Sequence, residues 1–539
     1  MKILTILVAV FLSVFSTVTM SYIGMAIPIG PWIAPTLALI AILIFKIFSQ
    51  LPSSDTTKEI ALATSAGSVG GIVATAMGFY FTTLYFLDPT LFNSWMQSPA
   101  YFIFILAILS LTAGMFGIWV ANIFEKKLIV KDKLVFPIGE LIYKTIATYK
   151  ETKKTITLII GFILTGLFCV LQDGIGSLRG IIPHSLVLIH SFSISIFQIP
   201  TIRLDIWPML WALGFVTGNI IVLPLSIGVL SKVLLIRPLH TLIFQDFSWM
   251  EFIITFCSGM VLSTAFFGLF STPRSLWRSF STLFTKGKTS VERGTSFMKH
   301  INLFETATLI LLFIGCMTYF KFSLLSQVYL FIFAFICAYQ IAIIAGKIGL
   351  APMGKFATFV MLPALFIFSI NYIQIVFIAT FVGICSGVAA DILFGRKLAH
   401  LADISSQTIK RYQYLGLFVS ALCIGLVFWF LIHNFGLGSE QLFALRAQNR
   451  WLLLHTLKTA KSLNYYVLML GFVFGFILSK LRVSPLLVLG GLFMPVNITL
   501  GLVVGGVGAL FITNRQDWYP FWSGVYASNS IWMLIRSII

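Results

Sequence analysis

The sequence predicts an all-α, polytopic integral membrane protein, and three observations carry that prediction. Of its 539 residues, 59% are hydrophobic and 10% are charged, with a mean hydropathy of +1.00. A soluble domain of this length needs a wetted surface and cannot be so apolar. Apolar runs of about 18 or more residues, each long enough to cross a bilayer as a helix, recur from end to end. Lys and Arg gather in the short segments between these runs, as the positive-inside bias requires.

Taken in order, the apolar runs cover 3–20, 32–49, 62–86, 101–124, 155–171, 184–200, 207–235, 251–270, 302–320, 324–346, 354–371, 373–394, 413–433, 463–480, 484–512 and 520–539. They amount to about 14–16 transmembrane or half-spanning helices, some broken or re-entrant. The Gly-rich run 484–512 reads either as one tilted helix or as two short pieces. Lys2 and the apolar run to Val18 resemble a signal peptide, but Ser21–Ala26 leads straight into the next run. An uncleaved first helix is the expectation.

Three basic segments set the orientation: 125–154, 271–300 and 395–411. All fall on one side of the span order, which places that side and the N-terminus in the cytoplasm. Lys232 and Arg237 disagree, as do Arg446, Arg450, Lys458 and Lys461. Either the span count slips there or these residues lie on amphipathic surface helices. The net charge of +19 is thus distributed through loops, with no separate basic domain, so a nucleic-acid partner is excluded. The six cysteines sit mostly in apolar runs with no close pair, the pattern of buried free thiols. The longest segments between spans, 271–300 and 434–462, are on the order of 30 residues, below the usual domain minimum of about 50. Function must therefore reside within the membrane or at its edge.

Four stretches break the apolar pattern. In Leu134–Thr145, Pro137 and Gly139 prevent a continuous helix, and Glu140 follows in the first turn of a new one. An acid is favoured there by free N–H groups and the helix dipole. Broken helices opening on a charged residue build substrate and ion sites in membrane carriers, and a re-entrant segment near 134–148 is expected. The second stretch, Ala63–Gly71, includes Ser65 and precedes Leu84–Pro89 with Tyr85. It reads as a cavity wall or as tight helix packing, with Asp88 a cap. The third, Ser386–Lys397, ends a small-residue run in Asp391, then Gly395, Arg396 and Lys397. Asp391 either pairs with one of those bases or faces a cavity as a coupling-ion or substrate group. The fourth, Gly349–Thr358, holds Pro352 and Gly354. It occupies a place in a C-terminal half (301–539) comparable to that of 134–148 in an N-terminal half (1–300), and paired breaks point to a transport site. Asp173, Asn219 and Glu305 are lesser candidates. The seven histidines are scattered; His184 and His190 lack one-face metal spacing. No nucleophile elbow or phosphate loop occurs. Neither a metal nor another cofactor is expected.

In order, these stretches resemble the oligopeptide transporter family, which includes the yellow-stripe-like metal-chelate carriers. Phe136-Pro137-Ile138-Gly139 matches its Tyr/Phe-Pro-x-Gly segment before a short helix. Ser65-Ala66-Gly67 and Leu84–Leu87 match its Ser-Ala-Gly-rich span and Leu-Tyr-x-Leu element. Asp391 and Gly395 match its late Asp-x-Lys-x-Gly segment, although Leu393 replaces the Lys and the link Ser405–Gln413 lacks the family's Pro. Gly490–Pro495 and Ser523–Ala527 resemble its closing spans.

The resemblance implies secondary active transport, usually proton-coupled import of small peptides or metal chelates. It also implies a compact bacterial form in the inner membrane, since the long N-terminal extension of many eukaryotic members is missing. Glu140 is the first candidate for the titrating group, because a Glu sheltered from water protonates more readily near neutral pH; Asp391 is the second. Tyr85, Tyr143, Ser65 and Asn219 are candidates to line the solute site, and Pro137, Gly139, Pro352, Gly354 and Gly395 to shape it. Na⁺ is an alternative to H⁺, and a homo-oligomer is compatible with the sequence. The rival readings are a polytopic enzyme acting on lipid-linked substrates and a channel. The first lacks the expected acid/base cluster; the second would show a repeated filter-like segment.

Overall fold

The computed structural model describes residues 3–26, 32–48, 54–147, 152–263, 303–454 and 464–538, apart from gaps of one or two residues within these ranges. Among the described residues, eight helices are long and apolar enough to cross a membrane, and five shorter apolar helices span 10–17 residues. Long apolar helices accompanied by shorter ones are what the sequence predicts.

The helices are α1 (Ile3–Ala26), α2 (Ala34–Phe48), α3 (Ser54–Tyr80), α4 (Pro99–Glu125), α5 (Pro137–Ala147), α6 (Thr152–Asp173), α7 (Pro208–Thr217), α8 (Asn219–Ser231), α9 (Leu303–Tyr319), α10 (Leu324–Ile348), α11 (Met353–Ile367), α12 (Tyr372–Leu401), α13 (Ser406–Phe435), α14 (Tyr465–Lys480), α15 (Pro485–Phe493), α16 (Val496–Gly508) and α17 (Arg515–Ile538). Shorter helical turns link several of them. In one, Pro89–Gln97, the Asp88 carboxylate accepts from the Leu91 amide at 3.1 Å, so Asp88 is the cap its position implies.

α3 and α12 form the centre. The apolar window of α3 is wholly buried and that of α12 nearly so. α3 packs on α1, α12, α13 and α2; α12 packs on α4, α3, α10, α11 and α5. Lipid tails give helices no hydrophobic reason to associate, so close packing has to supply it, and small residues permit that. A Cβ on Gly70 of α3 would lie 2.7 Å from the Ser13 carbonyl of α1. One on Gly117 of α4 would lie 2.5 Å from the Cys385 carbonyl of α12. At the periphery, Ile156, Ile160, Ile163 and Leu167 of α6 point outward, the arrangement a lipid-facing helix requires.

Two expected spans differ, and a third takes one of its two expected forms. The run 184–200 is not a helix: Ser185–Ile189 pairs antiparallel with Ile202–Asp205, and Phe192–Ile194 with Phe197–Ile199. Polar and apolar residues alternate from Ser191 to Ile196, a period of two that favours strands. The run 207–235 is broken into α7 and α8 at Gly218, whose φ of 56° only glycine adopts freely. The run 484–512 is two short helices, α15 and α16. The span expected at 251–270 lies partly outside the described residues, as does the basic segment 271–300.

Candidate functional site

The two faces of α3 do different things. Gly67, Gly70, Gly71 and Gly78 meet α1 and the start of α2, with Ser16 Oγ donating to the Gly67 carbonyl at 2.5 Å. Ser65 and Ser68, three residues apart and so on one stripe, turn towards α12 and α13. Ser68 Oγ donates to Asp391 Oδ2 at 2.7 Å. Asp391 is 2% exposed, and among the described residues it forms no ion pair. A hydroxyl can donate to a carboxylate or accept from a carboxylic acid. The contact therefore survives both protonation states of Asp391.

The two bases that follow Asp391 in sequence do not reach it. At i+5 and i+6 they project from other faces of the helix. Arg396 donates from Nη1 to Glu125 Oε2 at 3.0 Å, from Nη2 to Asn122 Oδ1 at 3.2 Å, and from Nε to Gln413 Oε1 at 2.6 Å. Gln413 Nε2 in turn donates to Ser65 Oγ at 3.0 Å and to the Ile392 carbonyl at 3.1 Å. This chain ties α4, α12, α13 and α3 together one turn below Asp391. Gly395 makes room for it, since a Cβ there would run into Ser65 Oγ and Gln413 Nε2.

Lys397 faces the first break. Its Nζ lies 3.8 Å from Glu140 Oε1 and donates to the Leu134 carbonyl at 3.3 Å. Glu140 also lies 3.8 Å from Lys144 one turn on. The break is made by Phe136, at φ 48°, followed by Pro137 as the first residue of α5. Gly139 brings α5 against α12: a Cβ there would be 2.6 Å from the Phe394 carbonyl. Tyr143 is half-buried against the core.

The first break meets the end of α10, the helix that leads into the second. The Phe136 amide donates to the Gly346 carbonyl at 2.8 Å. Gly349 ends α10 in the left-handed region, and its carbonyl accepts from Trp32 Nε1 at 2.8 Å. Trp32 and Phe136 both pack edge-on against Phe394, with ring centroids 4.8 and 6.0 Å away. Pro352 stands at the N-cap of α11 with no side-chain cap. Gly354, in the first turn, lets this end of α11 approach the cluster closely: a Cβ there would be 3.2 Å from Arg446 Nη1 and 3.7 Å from the Tyr80 hydroxyl.

The sequence-predicted residues thus separate. Asp391, Ser65 and Gly395 lie within one neighbourhood, and Pro137, Gly139 and Glu140 adjoin it through Lys397 and Phe394. Gly354 faces the Tyr80 cluster instead, and Pro352 precedes it at the N-cap of α11. Tyr85 packs its ring on Phe86 and Phe92, at 5.2 and 5.5 Å. Asn219 begins α8, and its side chain lies outside the described residues. Sequence reading overlooked Ser68, Asn122, Glu125, Gln413 and Tyr80 as site residues. Arg446 and Arg450 did signal themselves by violating the positive-inside pattern. The reason is now visible for Arg450: it is no surface residue but 7% exposed, donating to the Phe79 carbonyl at 2.8 Å. Lys458 and Lys461 lie outside the described residues.

Among the described residues no group of three or more His, Cys, Asp or Glu side chains gathers to hold a metal. The arrangement instead offers a buried acid with no ion pair among the described residues, a buried polar chain beside it and two chain breaks linked through the end of α10. These are the parts of a carrier. No curated protein matches the chain. The family described as OPT oligopeptide transporter protein matches residues 3–253 and 296–528, nearly the whole length, and the chain belongs to that family of membrane transporters.

Proposed function

We propose that this transporter is a proton-coupled symporter of short peptides or of peptide-like metal chelates, and that Asp391 carries the coupling proton. The observation that supports this reading is the Ser68–Asp391 pair: an acid buried at the helix-packed centre, accepting from a hydroxyl at 2.7 Å and with no ion pair among the described residues. Intramembrane acids that face a bundle interior mark ion and proton pathways. Glu140 has two ammonium groups beside it and, in this reading, fastens the broken segment to α12 through Lys397. The halves 1–300 and 301–539 each contribute one break, and alternating access proceeds by rocking one half against the other. The protein resides in a bacterial inner membrane with its N-terminus in the cytoplasm, and it catalyses no chemical conversion of its solute.

The test is uptake into proteoliposomes under an imposed proton gradient, with a panel of short peptides and metal chelates read by mass spectrometry. Saturable accumulation that collapses with a protonophore is expected. Accumulation driven only by a Na⁺ gradient would replace the coupling ion. No gradient-dependent accumulation of any panel member by folded protein would overturn coupled transport of these solutes.

A further inference from the structure

We propose that Tyr80, Arg446 and Arg450, together with the first turn of α11, bind the free carboxylate of the transported solute. This rests on the transport reading above and adds the chemical group by which the solute is recognised.

The cluster concentrates positive potential at the centre of the bundle. Arg450 is stacked over the Tyr80 ring, 4.4 Å from its centroid, and Arg446 over the Phe79 ring at 4.2 Å. Arg446 Nη1 also approaches Gly354 in the first turn of α11, a helix of 15 residues whose N-cap, Pro352, supplies no side-chain acceptor. Free N–H groups and the dipole make that end positive as well. Aromatic faces offset part of a guanidinium's lost hydration but give its N–H groups no acceptor. Arg450 has the Phe79 carbonyl and, at 3.5 Å, Thr83 Oγ1; among the described residues no carboxylate pairs with it.

Two buried polar groups remain unmatched. The Tyr80 hydroxyl is fully buried and has no hydrogen-bond partner among the described residues; it points at Gly354, 3.7 Å from where a Cβ would stand. Arg450 Nε likewise lacks a partner. A buried donor left unmade is costly, and a buried cation without an anion more so. A planar carboxylate answers all of these at once. It accepts two parallel bonds from a guanidinium fork, one from a hydroxyl and others from first-turn amides. Broken helices in carriers point their N-termini at anionic groups for the same reason. On α12 the cluster sits beside Gly383, which the Tyr80 ring covers. Asp391 lies two turns further along the same helix, about 12 Å away at 1.5 Å per residue. A solute held here would lie within reach of the proposed coupling acid.

The test compares a library of tripeptides bearing free C-terminal carboxylates with the same library as C-terminal amides. Proteoliposomes carry the full chain, with an imposed pH gradient and the membrane potential clamped at zero. Wild type is expected to accumulate the free acids about tenfold or more above the amides, the scale of lost charge-assisted hydrogen bonds. Arg450→Gln is expected to erase that preference. Because Arg450 also anchors the Phe79 carbonyl, Tyr80→Phe serves as the milder variant: it deletes only the unmatched hydroxyl and should reduce the preference several-fold without loss of folded protein. Equal accumulation of acids and amides by wild type would overturn the carboxylate site while leaving transport intact. An undiminished preference in both folded variants would also overturn it. Accumulation of neither library by folded protein would overturn the peptide-transport reading itself, and the site's assignment with it.

Discussion

Ser68 Oγ donates to Asp391 Oδ2 at 2.7 Å, joining the two most deeply buried of the long apolar helices among the described residues through one hydroxyl and one carboxyl group. Replacement of the acid isolates its role. Asp391→Asn keeps the side-chain shape and a hydrogen bond to Ser68 but cannot take up a proton. Gradient-driven accumulation is expected to fall at least about tenfold, the scale seen when a positioned proton carrier is removed, while solute exchange at equal pH persists. Uptake and counterflow assays on the same vesicles check this. Loss of both activities together would assign Asp391 to solute binding instead.

The Arg396–Glu125 contact predicts an asymmetry. The Arg396 side chain is 1% exposed and that of Glu125 is 20% exposed. Glu125→Gln leaves a buried guanidinium with Gln413, Asn122 and Ser406 but without its direct anionic partner, and should cost about 3–5 kcal/mol of stability. Arg396→Gln leaves an acid that still reaches water and Ser406, and should cost less through lost charge although it also cuts the Gln413 bond. A double-mutant cycle followed by thermal unfolding in detergent measures the coupling. A coupling near zero would show that the contact contributes nothing.

Gly139→Ala sets a methyl group against a carbonyl of α12 rather than against a yielding side chain. Overpacking of this kind costs about 1–3 kcal/mol, so the variant should unfold earlier than wild type. Gly315→Ala is the control, because nothing lies within 4 Å of its Cβ position on α9. It should be neutral or stabilising by up to about 1 kcal/mol. Equal unfolding temperatures for both variants would refute the close contact at Gly139.

Trp32→Phe deletes the bond from Nε1 to the Gly349 carbonyl while keeping an aromatic ring against Phe394. A loss of about 1 kcal/mol is expected. Amide hydrogen exchange should rise at the end of α10 and at the start of α11 and leave α6 unchanged. Uniform exchange across the protein would mean that Trp32 has no local hold on the second break.

The helical membrane class was legible because lipid imposes it: each crossing needs a long apolar run, and such runs are countable. The run 184–200 shows the limit of that count. Its apolar content suits a helix, but the alternation through Ser193 and Ile194 belongs to paired strands. The breaks at Pro137 and Pro352, and the lone acid at Asp391, stood out because Pro and isolated carboxyls are rare within apolar stretches. Gln413 was invisible for a different reason. Its partner Ser65 lies 348 positions away, and only the packing of α13 on α3 brings them within 3.0 Å. Likewise, nothing in the sequence around Tyr80 says that its hydroxyl ends beside Gly354.

Along α1 and α3 the chain meets itself backbone to backbone. Gly78 stands so close to Gly24 that an added Cβ would be 3.0 Å from the Gly24 carbonyl carbon, and Gly70 abuts the Ser13 carbonyl. Helices that mesh through side chains can slip by changing rotamers, whereas peptide groups have none to change. Close backbone contact therefore leaves the two helices little room to slide past each other. A displacement of α1 must carry Ser68 with it, and with Ser68 the hydroxyl that touches Asp391, 323 positions further along the chain.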